Sequence, residues 1–251
     1  MSKPNIRFFV IGAARSGTTS LYRYLEQHPE IYTSPVKEPR FFAENWKKGW
    51  AWYEEIYAGA PPEAVLGDFS PSYTVAERPE DQRAAPRLAR FYPEARLIYM
   101  IRNPIACAIS NWRMAAEITG KEIPFLDAFR NDWAWSVYHR CCFFRQITPF
   151  RQLFSDAQIL VIPLEAIRST PDEWTAKIHD HIGISPIQAR FPKSNASNRK
   201  PNRPKAPDID RAARKEFLDK VQDDALQMLD YIGMPASLWN LSVNSPDWEP
   251  E

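Results

Sequence analysis

An apolar run of strand length, Ile6 to Ile11, stops at Gly12-Ala13-Ala14-Arg15-Ser16-Gly17. It gives way to Leu21, Tyr24 and Leu25 at helical spacing, ending near His28-Pro29. No other stretch restricts the fold as tightly. A buried strand, a glycine turn and a helix start, in that order, bring turn amides and a helix N-terminus together, which is an anion-binding device. Gly12-x-x-x-x-Gly17-Thr18-Thr19 has the spacing of a phosphate loop. The full nucleotide-triphosphatase form continues Gly-Lys-Ser/Thr, with the Lys on the outer phosphates and the hydroxyl on magnesium. Here Thr18 takes the place of that Lys, and the positive charge lies inside the loop at Arg15. No clear acidic magnesium ligand ends a following strand. The residues therefore point to a phosphate held without a metal.

Two further apolar runs, Leu97 to Ile101 and Ile159 to Pro163, suit parallel strands covered on both faces. Helical or mixed patterns occupy Pro104 to Glu117, Trp133 to about Phe154, Pro171 to Ile182 and Ile209 to Ile232, with Pro149 expected to kink the second. Strands alternating with helices predict an α/β fold: three layers, P-loop-like, with a central parallel sheet flanked by helices. Single cores stop growing near ~250–300 residues, so residues 1–251 are expected to form a single domain. Residues 33 to 95, rich in proline and aromatics, and 190 to 207, polar, basic and proline-rich, read as loops over the sheet, where sites usually lie.

Lys+Arg 32 against Asp+Glu 31 leaves a formal net charge of +1, so no global field calls for nucleic acid or an anionic membrane as partner. Any anion site must be local. The opening residues lack a signal-peptide layout and no apolar run reaches spanning length, so a cytoplasmic chain without a membrane segment is expected. Cys107, Cys141 and Cys142 are odd in number and lack CxxC spacing. They read as buried thiols, not as a disulfide framework or a zinc site. His179 and His181, two apart on an expected helix, would face different directions, so no metal pair is expected there.

Several separate segments resemble the PAPS-dependent sulfotransferase family (PAPS, 3′-phosphoadenosine 5′-phosphosulfate), in particular its bacterial and carbohydrate-modifying branches. Phe9 to Leu21 is similar to the family's 5′-phosphosulfate loop. Val36-Lys37-Glu38-Pro39-Arg40-Phe41-Phe42 resembles the Lys-Glu-Pro-x-Phe-Phe segment of the glycan enzymes, whose Glu is assigned as the catalytic base. Leu97 to Pro104, with Ser110 eight residues after Arg102, looks like the 3′-phosphate site, and Gln158 to Glu165 with Ile182-Gly183 like the terminal strand and following helix. The chain departs from the family at three positions. Arg15 stands where many members carry Lys, and Phe69, in Gly67-Asp68-Phe69-Ser70-Pro71-Ser72-Tyr73, where a substrate-side Lys is frequent. Cys107 stands at a second basic position of the 3′-phosphate helix.

The resemblance implies PAPS as donor, no metal, and sulfuryl transfer to a hydroxyl, less readily an amine, of a small-molecule or saccharide acceptor. Glu38 would be the general base, and Arg15 would stabilise charge on the bridging oxygen. Ser16, Gly17, Thr18, Thr19 and Ser20 would hold the 5′-phosphate, Arg102 and Ser110 the 3′-phosphate, and Arg199 and Lys200 would fold over the nucleotide. Lys37, Arg40 and Tyr138 are candidates on the acceptor side. Trp112, Trp133 and Trp135 are further candidates for lining an acceptor pocket, with core packing their ordinary fate. For Glu38 the residues alone equally allow an ion pair with Lys37, Arg40 or Arg15. Two alternatives stay open at this level: a P-loop kinase of a small metabolite, and a catalytically inactive nucleotide-binding module.

Overall fold

The computed structural model describes residues 3–75, 83–130, 138–192 and 207–248. Its elements run β1 (Ile6–Gly12), α1 (Thr18–Leu25), β2 (Ile31–Thr33), α2 (Gly49–Glu55), β3 (Val65–Phe69), α3 (Ala84–Phe91) and β4 (Arg96–Ile101), then α4 (Pro104–Thr119), α5 (Phe125–Arg130), α6 (Phe143–Arg151), β5 (Ile159–Pro163), α7 (Leu164–Ser169), α8 (Pro171–Ile182) and α9 (Arg211–Tyr231). They fall into two compact units. Met1–Ile101 joins Ile147–Asn195 in the first, and Arg102–Gln146 joins Ala196–Glu251 in the second.

The first unit is built on a five-stranded parallel sheet in the order β2-β3-β1-β4-β5, with flanking helices. This is the α/β architecture that the alternation of strand and helix patterns predicts. β1 lies in the middle, and Phe8, Phe9, Val10 and Ile11 are wholly buried, which is why its sequence is apolar without alternation. The chain leaves β1 for β2 and β3 on one side and returns to β4 and β5 on the other. The carboxyl end of β1 is therefore a topological switch point, where ligands bind in open α/β sheets.

The described residues between 33 and 95 are more ordered than their composition suggests, since they contribute α2, α3 and the interior strand β3. β3 escaped the pattern because Val65-Leu66-Gly67-Asp68-Phe69 breaks its apolar run with a glycine and an acid. Both have packing reasons. The Phe8 ring occupies the space that a Cβ on Gly67 would need, and Asp68 finds hydroxyl partners described below. The aromatics of this stretch form a cluster: Phe41 stacks on Tyr53 at 4.3 Å, and Trp50 meets Phe91 at 4.9 Å.

In the second unit, Asn103 caps α4: its side-chain oxygen accepts the Ile105 N–H at 2.9 Å, and its amide donates to Asp247 at 2.8 Å. Such a cap contributes about 1 kcal/mol. Gly120, at φ 66°, ends the helix. Asp210 caps α9 through the Ala213 N–H at 2.7 Å, and Phe217 of α9 packs on Phe125 and Trp248. All three cysteines are buried thiols, as expected.

The helix expected from Trp133 to Phe154 is not continuous. A 3-10 turn covers His139–Cys141, and α6 starts afresh at Phe143, because the Asp224 carboxylate accepts the N–H groups of Phe144 and Arg145 at 3.0 and 2.8 Å. Pro149 lies inside α6, which stops at Arg151. Among the described residues no helix is long and apolar enough to cross a membrane.

Candidate active site

The phosphate loop leaves β1 with the Ala13 N–H donating to the Met100 carbonyl at 2.6 Å. Gly17, at φ 93°, turns the chain into α1, and a Cβ there would lie 2.6 Å from Leu164 Cδ1. Both facts favour glycine. Within the loop the Ser16 N–H donates to Ala13 O and the Ser20 N–H to Gly17 O. The amides of Gly17, Thr18 and Thr19 are left at the helix start as the donors toward an anion. Ser16 is fully buried and its hydroxyl has no partner among the described residues. A buried, unpaired hydroxyl costs about 1–3 kcal/mol, so its place in this loop suits an oxygen-rich ligand. Arg15 is exposed at φ 67°.

The Lys-Glu-Pro segment lies beside this loop. Lys37 Nζ donates to Thr19 Oγ1 at 2.9 Å and stands 3.6 Å from Glu38 Oε1, while Arg40 grips Glu38 Oε2 at 2.8 Å and Glu44 at 3.4 Å. The ion pairs open to Glu38 on sequence grounds thus exist with Lys37 and Arg40. Glu38 and Arg40 carry φ of 59° and 49°, so with Arg15 they are the non-glycine residues of positive φ among the described residues. Such backbones cost on the order of 1–3 kcal/mol each and cluster where function needs a fixed geometry.

The turn is held from below by residues to which the sequence reading gave no role. Asp68, wholly buried on β3, accepts Ser70 Oγ–H at 2.6 Å on one oxygen, and on the other the hydroxyls of Tyr53 and Tyr73 at 2.7 and 2.8 Å. Burial holds its carboxyl above the ordinary range, and the three hydroxyls offset only part of that rise. The Arg40 N–H donates to Ser70 Oγ at 2.9 Å and the Phe42 N–H to Tyr73 Oη at 3.3 Å. The signal was an acid inside an otherwise apolar five-residue strand.

Phe69 is buried in the core, edge-on against Phe8 and Tyr22. Arg102 and Ser110 belong to the second unit. Arg102 is half-buried just after β4, and Ser110 is buried on α4. Cys107 is buried, its thiol 3.8 Å from the Arg140 carbonyl. Tyr138, also of the second unit, opens the 3-10 turn beside His139, and burial raises its hydroxyl. Trp112 is in the core, donating to Ile123 O at 3.0 Å. Arg199 and Lys200, with the 193–205 segment, and Trp133 and Trp135 lie outside the described residues.

The sulfotransferase domain family matches residues 5–224. Heparan sulfate glucosamine 3-O-sulfotransferase 3B1 of Mus musculus is 26% identical over 194 residues, covering 74% of this chain and 48% of that protein. The chain thus spans about half the length of the curated relatives it matches. Among solved structures, a sulfotransferase from Alicyclobacillus acidocaldarius superposes with a TM-score of 0.74 at 22% identity, over 95% of this chain and 99% of that one. Mouse sulfotransferase SULT7A1, complexed with PAP, gives 0.51 at 18%, over 74% and 61%. These two likenesses concern the fold. With the family match covering most of the sequence, the chain belongs to the sulfotransferase domain family.

Proposed function

We propose that the chain transfers a sulfuryl group from PAPS to a hydroxyl of a saccharide acceptor, with a small molecule or an amine as the lesser alternative. The observation that carries this is the Lys37–Thr19 hydrogen bond, which ties the turn bearing Glu38 to the start of α1. The unpaired Ser16 hydroxyl, the amides of Gly17, Thr18 and Thr19, and the turn at Gly17 fit an anionic donor. When bound, PAPS supplies the sulfuryl group and an adenosine bisphosphate leaving group, in a displacement that resembles phosphoryl transfer.

In this reading Arg40 holds Glu38 Oε2, and Oε1 takes the acceptor proton as the oxygen attacks. Arg15 faces charge growing on the bridging oxygen, and the loop amides hold the 5′-phosphate. Arg102 and Ser110 take the 3′-phosphate, and Tyr138 is kept as an acceptor contact. The PAP complex of SULT7A1 supports the donor class, and the heparan sulfate relatives support a saccharide hydroxyl.

Radiolabelled PAPS with heparan sulfate, a glucosamine oligosaccharide and p-nitrophenol tests transfer directly. Glu38→Gln should leave PAP affinity unchanged and lower turnover by about 10²–10⁴-fold, the range for losing a general base. Full turnover in that variant would remove Glu38 from the chemistry. PAP binding without transfer to any acceptor would favour the inactive module, and magnesium-dependent ATP binding the kinase.

A further inference from the structure

We propose that Asp68 is a positioning residue for this reaction: through Ser70 and Tyr73 its buried carboxylate fixes the Glu38–Phe42 turn, and so holds Glu38 against the phosphate loop. The inference rests on the reading of Glu38 as general base. Its evidence is the direction of the hydrogen bonds. Ser70 Oγ accepts the Arg40 N–H and Tyr73 Oη accepts the Phe42 N–H, so each hydroxyl proton is spent on Asp68. Tyr53 adds a third donor and meets the turn through its ring, stacked on Phe41 at 4.3 Å. Asp68 is therefore an acceptor on both oxygens, and two backbone amides of the turn hang from it at one remove.

The turn needs such an anchor. Glu38 and Arg40 both hold positive φ, a conformation that persists only where the surroundings over-determine it. Asn45 Nδ2 on the Pro39 carbonyl and Arg87 on the Phe42 carbonyl complete the restraint at 2.8 and 2.7 Å. The other side of the anchor is equally fixed. The Ser70 and Thr74 N–H groups donate to Val10 and Ile11 carbonyls at 3.1 Å, at the carboxyl end of β1. One buried charge thus links the strand that carries the phosphate loop to the turn that carries Glu38.

The test combines amide exchange with kinetics on the full chain. In Ser70→Ala and Asp68→Asn, the Arg40 amide should exchange at least about tenfold faster than in the wild type, a readout that needs no acceptor. With heparan sulfate as acceptor probe, both variants should lose about 10- to 100-fold in kcat while the PAPS KM and the PAP Kd move less than about threefold. Added to Glu38→Gln, neither should cost more, because they act through the same carboxylate. Should Asp68→Asn fail to fold, Ser70→Ala decides alone, since it leaves the buried charge and both tyrosine donors in place. Wild-type exchange at Arg40, or losses that multiply with that of Glu38→Gln, would overturn the inference. If Glu38→Gln is slow while the other two turn over normally, only this inference falls. If Glu38→Gln itself keeps full turnover, the general-base reading falls and takes the inference with it.

Discussion

Arg15, Glu38 and Arg40 hold backbone angles that side-chain-bearing residues rarely adopt; Arg15 stands out in the sequence as the charge inside the loop, and Glu38 and Arg40 through the resemblance of their segment. Arg15 carries the clearest kinetic expectation. If its charge meets oxygen that becomes negative only as the donor bond breaks, Arg15→Ala should lower kcat by about 10²–10³-fold and PAP affinity far less, and Arg15→Lys should keep more activity. Loss of PAP affinity at full kcat, measured by titration and steady-state kinetics, would make Arg15 a binding contact only. Gly17 carries the structural counterpart. Gly17→Ala combines a left-handed φ with a Cβ 2.6 Å from Leu164 Cδ1, so about 1–3 kcal/mol of stability should be lost. Thermal unfolding would read that loss, and PAP titration would show weaker binding as the turn opens.

At the scale of the element, the start of α4 and the packing of α8 make separate predictions. Asn103 and Pro104 set the helix start that follows Arg102. If Arg102 and Ser110 hold a 3′-phosphate, PAP should bind more tightly than AMP by about ten- to a thousandfold, since each charge-assisted hydrogen bond contributes about 1.5–3 kcal/mol. Arg102→Ala should erase most of that preference; equal wild-type affinities by calorimetry would refute the site. On α8, His181 Nε2–H donates to the Leu97 carbonyl of β4 at 3.0 Å, and burial lowers its pKa from the ordinary 6.5 to about 4. Between those values the unfolded chain binds a proton that the folded chain refuses, so stability falls as pH drops from 6.5 toward 4, by about 3 kcal/mol at most. Asp224 opposes this, because burial lifts its carboxyl to about 6 and so favours the folded state on acidification. The difference between wild type and His181→Gln isolates the histidine: chemical denaturation at several pH values should give a shallower acid loss in the variant.

For the whole molecule, each unit draws on two separate stretches of chain, so neither is a continuous piece of sequence. We propose on that ground that both unfold together as one sulfotransferase domain. Tryptophans occur in both, Trp50 and Trp174 in the first and Trp112 and Trp248 in the second. Fluorescence and far-UV circular dichroism should therefore report coincident transitions in denaturant. Two separated transitions would contradict a single domain.

Local sequence alone marked β1, the turn at Gly17 and α1, because a fully buried strand is apolar throughout and a chain turning at φ 93° against a neighbour favours glycine. Continuous apolar runs likewise marked β4 and β5, and helical patterns α4 and α8, while Arg15 stood out as the charge inside the glycine loop and Glu38 and Arg102 only through the resemblance to the sulfotransferase motifs. Other features were decided only by contacts between residues far apart in the chain. β3 is an interior strand despite its glycine and acid, because Phe8 fills the first gap and Tyr53, Ser70 and Tyr73 satisfy the second. α6 begins where Asp224, some eighty residues later, offers its carboxylate. Lys37 faces Thr19, and Phe69 and Cys107 face the core, because side-chain direction follows from neighbours that a one-dimensional pattern does not specify. Asp68 shows the limit most clearly: an acid in a strand declares itself buried only when the tertiary fold brings its three hydroxyl donors around it.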